Sequence, residues 1–265
     1  MRIEEYNRTY LSEENGVYVY SLQDSDIIEK YDELYAPAFA EVKDSLEEEL
    51  NWLNQSYDLN KPISSSNLLL REDKKNMLIH AGSYYEWDYN YDLSNVGYTY
   101  VDLDSDGSFE LIFGVLNYTD TDWCPKDYFE RAYTLVDGES IQICDGGSRD
   151  LHWLGNDGYI YETGSSGAAY SGIYRLHFDK NHLEMRGRSS FLSRGFIEDE
   201  FLGIWKVPIH LVDSFEDIEE AALLEKNQIT EEEWRAMNEE WQNRQVTVDW
   251  LKFSDYMEKH NISAE

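Results

Sequence analysis

The chain has 265 residues, 42% of them hydrophobic and 15% aromatic, which is enough to fill a core and argues against disorder. Its 54 acidic residues outnumber 22 basic ones, for a formal charge of −32, and this excludes the cationic footprint that nucleic acid or an anionic membrane requires. The same charge suits a bound cation, a basic protein partner, or a heavily solvated surface.

Residues 1–22 begin polar, with no hydrophobic signal core, and then alternate from Gly16 to Leu22 as a short strand. Asp24 or Ser25 caps a helix beginning near Ile27, whose apolar residues Ile27, Ile28, Tyr31, Leu34 and Tyr35 recur at helical spacing. Pro37 marks a kink or a new first turn. A second helical run follows with Phe39, Val42, Leu46, Leu50, Trp52 and Leu53, so residues 24–58 read as helical. Asn60–Asn67 reads as a turn or linker, and Asn76–Ala81 fits strand or helix. Tyr84–Tyr91 is an aromatic and acidic stretch that reads as a half-buried strand or loop.

From residue 97 to 204 the pattern changes to short alternating runs separated by Gly and Asp. Candidate strands are Tyr98–Asp102, Glu110–Leu116, Glu130–Val136, Ser140–Cys144, His152–Leu154, Tyr159–Thr163, Gly172–Phe178 and His182–Arg188. Asp137-Gly138 is a two-residue hairpin turn that needs positive φ, and Asn156-Asp157-Gly158 and Asp179-Lys180-Asn181 turn two more. The tail, 213–244, is helical again. Asp213-Ser214 caps Phe215–Glu225, and Thr230 opens a capping box with Glu233. Trp234, Met237 and Trp241 form a core-facing stripe, and Gln245–Leu251 alternates as a strand returning to the sheet. The expected fold is one α+β domain over 1–265: an antiparallel β meander, either a curled sheet or a partial barrel, flanked by N-terminal and C-terminal helices.

The densest chemistry lies at Asp102-Leu103-Asp104-Ser105-Asp106-Gly107-Ser108-Phe109-Glu110. Carboxylates alternate at Asp102, Asp104 and Asp106, Gly107 permits a sharp turn, and Glu110 follows. So many carboxylates repel one another unless a cation sits among them. Hard oxygen donors at Asp102, Asp104, Asp106, the Ser108 carbonyl and Glu110 suit Ca²⁺ in a structural role. The twelfth position is Phe113, where an EF-hand needs a bidentate Glu, and the flanks read as strands rather than helices.

Other chemistry is sparser. Gly146–Asp150 and Gly164–Ala169 are small-residue loops, and Arg149, His152 and Tyr170 lie near them. The second of them is neither a nucleophile elbow nor a phosphate loop. Ser165–His152–Asp150 or Cys144–His152 can be drawn as nucleophilic groups, although a chain with so many acids makes such sets easy to assemble. Cys124 and Cys144 form no C-x-x-C pair, and so read either as one disulfide or as two free thiols.

The Tyr98–Leu111 run, Gly147-Ser148-Arg149, Asp157–Ile160, Gly164–Tyr170 and the helix opening at Ile229–Glu233 together resemble an uncharacterised family from gut-dwelling Firmicutes, often predicted lipoproteins or secreted proteins. The resemblance covers roughly residues 95–245 and implies export, with no activity attached. Three functions are expected in order. The first is a non-catalytic, calcium-stabilised binding or surface module for a protein or glycan ligand. The second is a cytoplasmic acidic immunity or inhibitor protein binding a basic partner. The third is a hydrolase acting at the 146–170 loops. Localisation is extracellular or cell-surface if an export signal has been removed, and cytoplasmic if the chain is complete as given. No apolar run is long enough to span a membrane.

Overall fold

The computed structural model describes residues 8–14, 17–22, 24–56, 95–104, 106–116, 127–146, 150–165, 170–179, 183–197, 200–207 and 228–262. The expectations for Asn60–Asn67, Asn76–Ala81, Tyr84–Tyr91, Cys124 and Phe215–Glu225 lie outside these residues.

Among the described residues, thirteen strands form one antiparallel sheet. They are β1 (Arg8–Glu14), β2 (Val17–Leu22), β3 (Val96–Asp102), β4 (Glu110–Val115), β5 (Tyr128–Val136), β6 (Glu139–Asp145), β7 (Asp150–Leu154), β8 (Ile160–Ser165), β9 (Tyr170–Asp179), β10 (Glu184–Ile197), β11 (Glu200–Val207), β12 (Gln228–Ile229) and β13 (Leu251–Lys252). Every one of the eight candidate strands between 97 and 204 is present. The pattern did not foretell β1, β11 and β12. Asp137 and Gly138 have φ of 52° and 86°, the positive values that a tight hairpin between β5 and β6 demands.

The sheet is open, which corrects the expectation of a curled sheet or partial barrel. Its main path runs in line from β1 at one edge to β12 at the other, and among the described residues nothing joins these edges. The two remaining strands share occupied edges: β13 pairs β3, and β6 pairs β5. A barrel hides one sheet face in its lumen. Here both faces of the central strands carry packed cover, so there is no lumen to close around.

The alternation of side chains assigns those faces. Tyr98, Tyr100, Leu111, Phe113 and Val115 point to one core cluster, while Val101 and Ile112 point to another. The first face is covered by α1 (Ser25–Leu34), α2 (Ala36–Ser56) and α4 (Phe253–Lys259). The second is crossed by Val246, Val248 and Trp250. The helix α3 (Glu231–Gln242) packs farther along, on Trp153 and Tyr161.

Local sequence explains the helix boundaries. The Asp24 carboxylate accepts the N–H groups of Asp26 and Ile27, so α1 begins where two donors lack intrahelical partners. Pro37 falls in the first turn of α2, where its missing N–H costs no hydrogen bond. Tyr35, between the helices, is fully buried. Phe39 stacks on Tyr256 with ring centroids 3.7 Å apart, joining α2 to α4 over β3. Aromatic pairs of this kind add about 0.5–1.5 kcal/mol each beyond area burial. Thr230 and Glu233 form the expected capping box, which fixes the start of α3.

Candidate metal centre

Asp102 ends β3 and Glu110 begins β4, so the acidic segment is the connection of a hairpin. The strands are in register up to its mouth, with Val101 opposite Glu110. Gly107 has φ of 85°, a left-handed conformation that costs a side chain roughly 1–2 kcal/mol.

The aspartates shape this turn themselves. Asp104 Oδ1 accepts the Asp106 N–H at 3.1 Å, Asp106 Oδ1 accepts the Ser108 N–H at 2.7 Å, and Asp102 Oδ2 accepts the Gly107 N–H at 3.2 Å. These bonds draw the three side chains to one side. One carboxylate oxygen from each of Asp102, Asp104 and Asp106 lies within 4.8 Å of the others. Asp102 is buried, Asp104 is half-buried and Asp106 is exposed, so the group opens outward from the sheet. Two unit charges at such a distance repel by about 1 kcal/mol in bulk water and about 3–4 kcal/mol at an effective dielectric of about 20. A cation among them reverses the sign. The donors are all oxygen, which favours a hard ion over a soft one.

Glu110 is engaged differently. Its carboxylate accepts the Leu103 N–H at 2.9 Å and the Thr134 hydroxyl at 3.0 Å, tying the loop to β5. Burial pushes its carboxyl well above the usual carboxylate range, and the nearby Asp104 and Asp102 push the same way. The Leu103 and Thr134 hydrogen bonds oppose this shift. Ser108 follows Gly107, half-buried, with its N–H committed to Asp106.

Sequence reasoning missed the groups that hold the loop from the helical side. The Phe109 N–H donates to Tyr31 Oη at 3.2 Å, and its carbonyl accepts the Tyr35 hydroxyl at 2.9 Å. Tyr31 and Tyr35 were legible as one face of a helix, but their hydroxyls gave no signal of a distant partner. Thr134, deep in β5, was equally silent.

The second cluster of reactive groups is Cys144, His152 and Glu162, on β6, β7 and β8. Cys144 is a free, buried thiol. Its Sγ is 3.5 Å from Nδ1 and 3.4 Å from Nε2 of His152. A sulfur in line with one nitrogen would be about 2 Å farther from the other. This sulfur therefore lies out of line with both, which is not the arrangement of a nucleophile and its base. The imidazole has further neighbours: Phe129 stacks on it at 5.4 Å, and Nε2 is 3.5 Å from Glu162 Oε2. Burial pulls the imidazole down, but the adjacent Cys144 and Glu162 outweigh it and raise its pKa well above the ordinary value. Of the small-residue loops, residues 147–149 and 166–169, with Arg149, lie outside the described residues, as do the side chains of Asp150, Ser165 and Tyr170.

Among the described residues no helix is long and apolar enough to cross a membrane. Comparison with protein-family models, with curated proteins and with solved structures finds no match to this chain. The functional reading therefore rests on its own geometry.

Proposed function

We propose that the Asp102–Glu110 hairpin binds Ca²⁺ and that the protein is a calcium-stabilised, non-catalytic binding module. The observation that carries this reading is the convergence of Asp102, Asp104 and Asp106 within 4.8 Å on the connection between two paired strands. The ion draws on these three carboxylates, on the Ser108 carbonyl, and on Glu110 if its carboxylate turns from Leu103 and Thr134. Oxygen donors of mixed type from one turn suit the loose, high coordination number of Ca²⁺ better than the tight octahedron of Mg²⁺. The ion's work is cohesive: it neutralises the turn and holds the ends of β3 and β4 together at the centre of the sheet.

The test is thermal unfolding in calcium chloride and in EDTA. At a free calcium level 100-fold above Kd, the gain is about 2.7 kcal/mol. Asp104→Ala, which removes a half-buried carboxylate without touching the core, abolishes the difference. Superimposable melts of the wild-type protein in the two media sink the proposal.

A further inference from the structure

We propose that the acidic hairpin is the seat of helix α1, so that its cation controls the ordering of α1 and, through α1, of α4. This inference rests on the calcium reading above and assigns that site a regulated element.

The argument begins at Phe109, which directly follows Ser108 and precedes Glu110. It is fully buried, and its two backbone polar groups are used by Tyr31 of α1 and by Tyr35, which caps the C-terminus of α1. The Tyr31 hydroxyl oxygen accepts its N–H, the Tyr35 hydroxyl donates to its carbonyl, and the Tyr31 ring meets the Phe109 ring edge-on at 5.6 Å. The two tyrosines are four residues apart, so one side of the last turn of α1 and its C-cap grips a single residue of the hairpin. The Tyr35 hydroxyl is shared with the Tyr133 carbonyl on β5 at 3.2 Å.

The strand entering the hairpin is held by the same helix. Asp32 accepts the Tyr100 hydroxyl at 2.8 Å and the Tyr98 hydroxyl at 3.4 Å, and Tyr100 lies two residues before Asp102. The far end of α4 also meets Asp32: Lys259 Nζ is 3.4 Å away and reaches Glu29 at 3.3 Å, and His260 Nε2, just past the helix, is 4.0 Å from the Asp32 carboxylate. Hairpin, α1 and α4 thus form a continuous chain of hydrogen bonds and ion pairs. The hairpin is the link whose charge a bound cation neutralises. Without a cation, mutual repulsion spreads its aspartates and shifts Phe109, to which α1 is bonded at both ends of one residue. With the cation, Phe109 is fixed and α1 has a rigid dock.

The test is amide hydrogen exchange of the whole chain in calcium chloride and in EDTA. Calcium is expected to slow exchange roughly ten-fold in α1 and α4 as well as in the hairpin, with a smaller effect in α3, which docks elsewhere. Tyr31→Phe combined with Tyr35→Phe keeps both rings and is expected to leave hairpin protection intact while removing that of α1. Tyr31→Phe alone serves if the double variant does not fold. Protection confined to the hairpin, or spread equally over α3, overturns the inference while leaving calcium binding in place. No change anywhere, with unchanged melting, overturns the calcium reading and this inference together.

Discussion

Gly97 and Gly114 face each other across β3 and β4, and the Trp250 indole lies over both. A Cβ at Gly114 would stand 2.3 Å from the Tyr128 carbonyl oxygen and 2.6 Å from the Trp250 ring. A Cβ at Gly97 would stand 3.1 Å from the same ring. The paired glycines leave a shallow seat in which the indole rests, its Nε1 donating to Asp127 at 3.2 Å. Among the described residues, the second face of the sheet is covered here by extended chain.

The seat gives the first prediction. Gly114→Ala must displace backbone or an aromatic ring, and is expected to cost at least about 1–3 kcal/mol. Gly138→Ala meets nothing within 4 Å and suffers only from its φ of +86°. That strain is worth about 1–2 kcal/mol. Urea unfolding of both variants is expected to place Gly114→Ala as the more damaged. The reverse order would mean that the tail does not bind as described.

Asp32 gives a pH dependence. Burial raises its pKa above the ordinary 3.8, against hydrogen bonding from Tyr100 and the attraction of Lys259 and His260. A carboxyl with a raised pKa in the folded state contributes stability that is fully present below the unfolded value and lost as pH rises through the folded one. Asp32→Asn lacks that loss. The stability of the variant relative to wild type is expected to grow as pH rises from about 4 toward neutrality. Parallel profiles of the two proteins in urea unfolding would show that Asp32 is not so shifted.

Trp241 tests the docking of α3. It is buried and meets Tyr161 at 5.2 Å, while Tyr161 stacks on Trp153 at 5.6 Å. Beside it the Arg244 guanidinium pairs with Asp157 at 3.2 Å, and the Arg244 carbonyl accepts the Asn156 N–H. Trp241→Ala is expected to cost about 3–5 kcal/mol by calorimetry or denaturant titration. A loss below about 1 kcal/mol would mean that α3 is peripheral to the fold's stability.

The meander was legible because its strands alternate and its turns are written in Asp-Gly and Asn-Asp-Gly. The capping residues Asp24, Thr230 and Glu233 and the Trp234–Trp241 stripe were equally plain, because each acts within a few positions of itself. Openness was not legible. Closing or leaving a sheet open depends on what covers its two faces, and Trp250 covers one of them from over a hundred residues away from its glycine seat. The strand β1 hid in a polar run, and β12 pairs through only two residues, too short to show a period. In the candidate centre the aspartate spacing announced itself. The tyrosine grip on Phe109 did not, because a hydroxyl within an apolar stripe looks like core until its distant partner is known.

The sharing of one edge of β3 has a consequence for how the chain is assembled. Tyr20 and Ser21 pair with the Asp102 end of that edge, and Leu251 and Lys252 pair with its Tyr98 end. The β3–β4 hairpin can close as soon as both strands leave the ribosome, because its contacts are local. The lower half of the edge must wait for residues synthesised much later, along with α4 and the indole of Trp250. Until then an apolar, unpaired strand edge stands exposed beside a dense patch of negative charge. Like charge on neighbouring chains opposes the approach of such edges, so the acidity that marks this sequence works against edge-to-edge association.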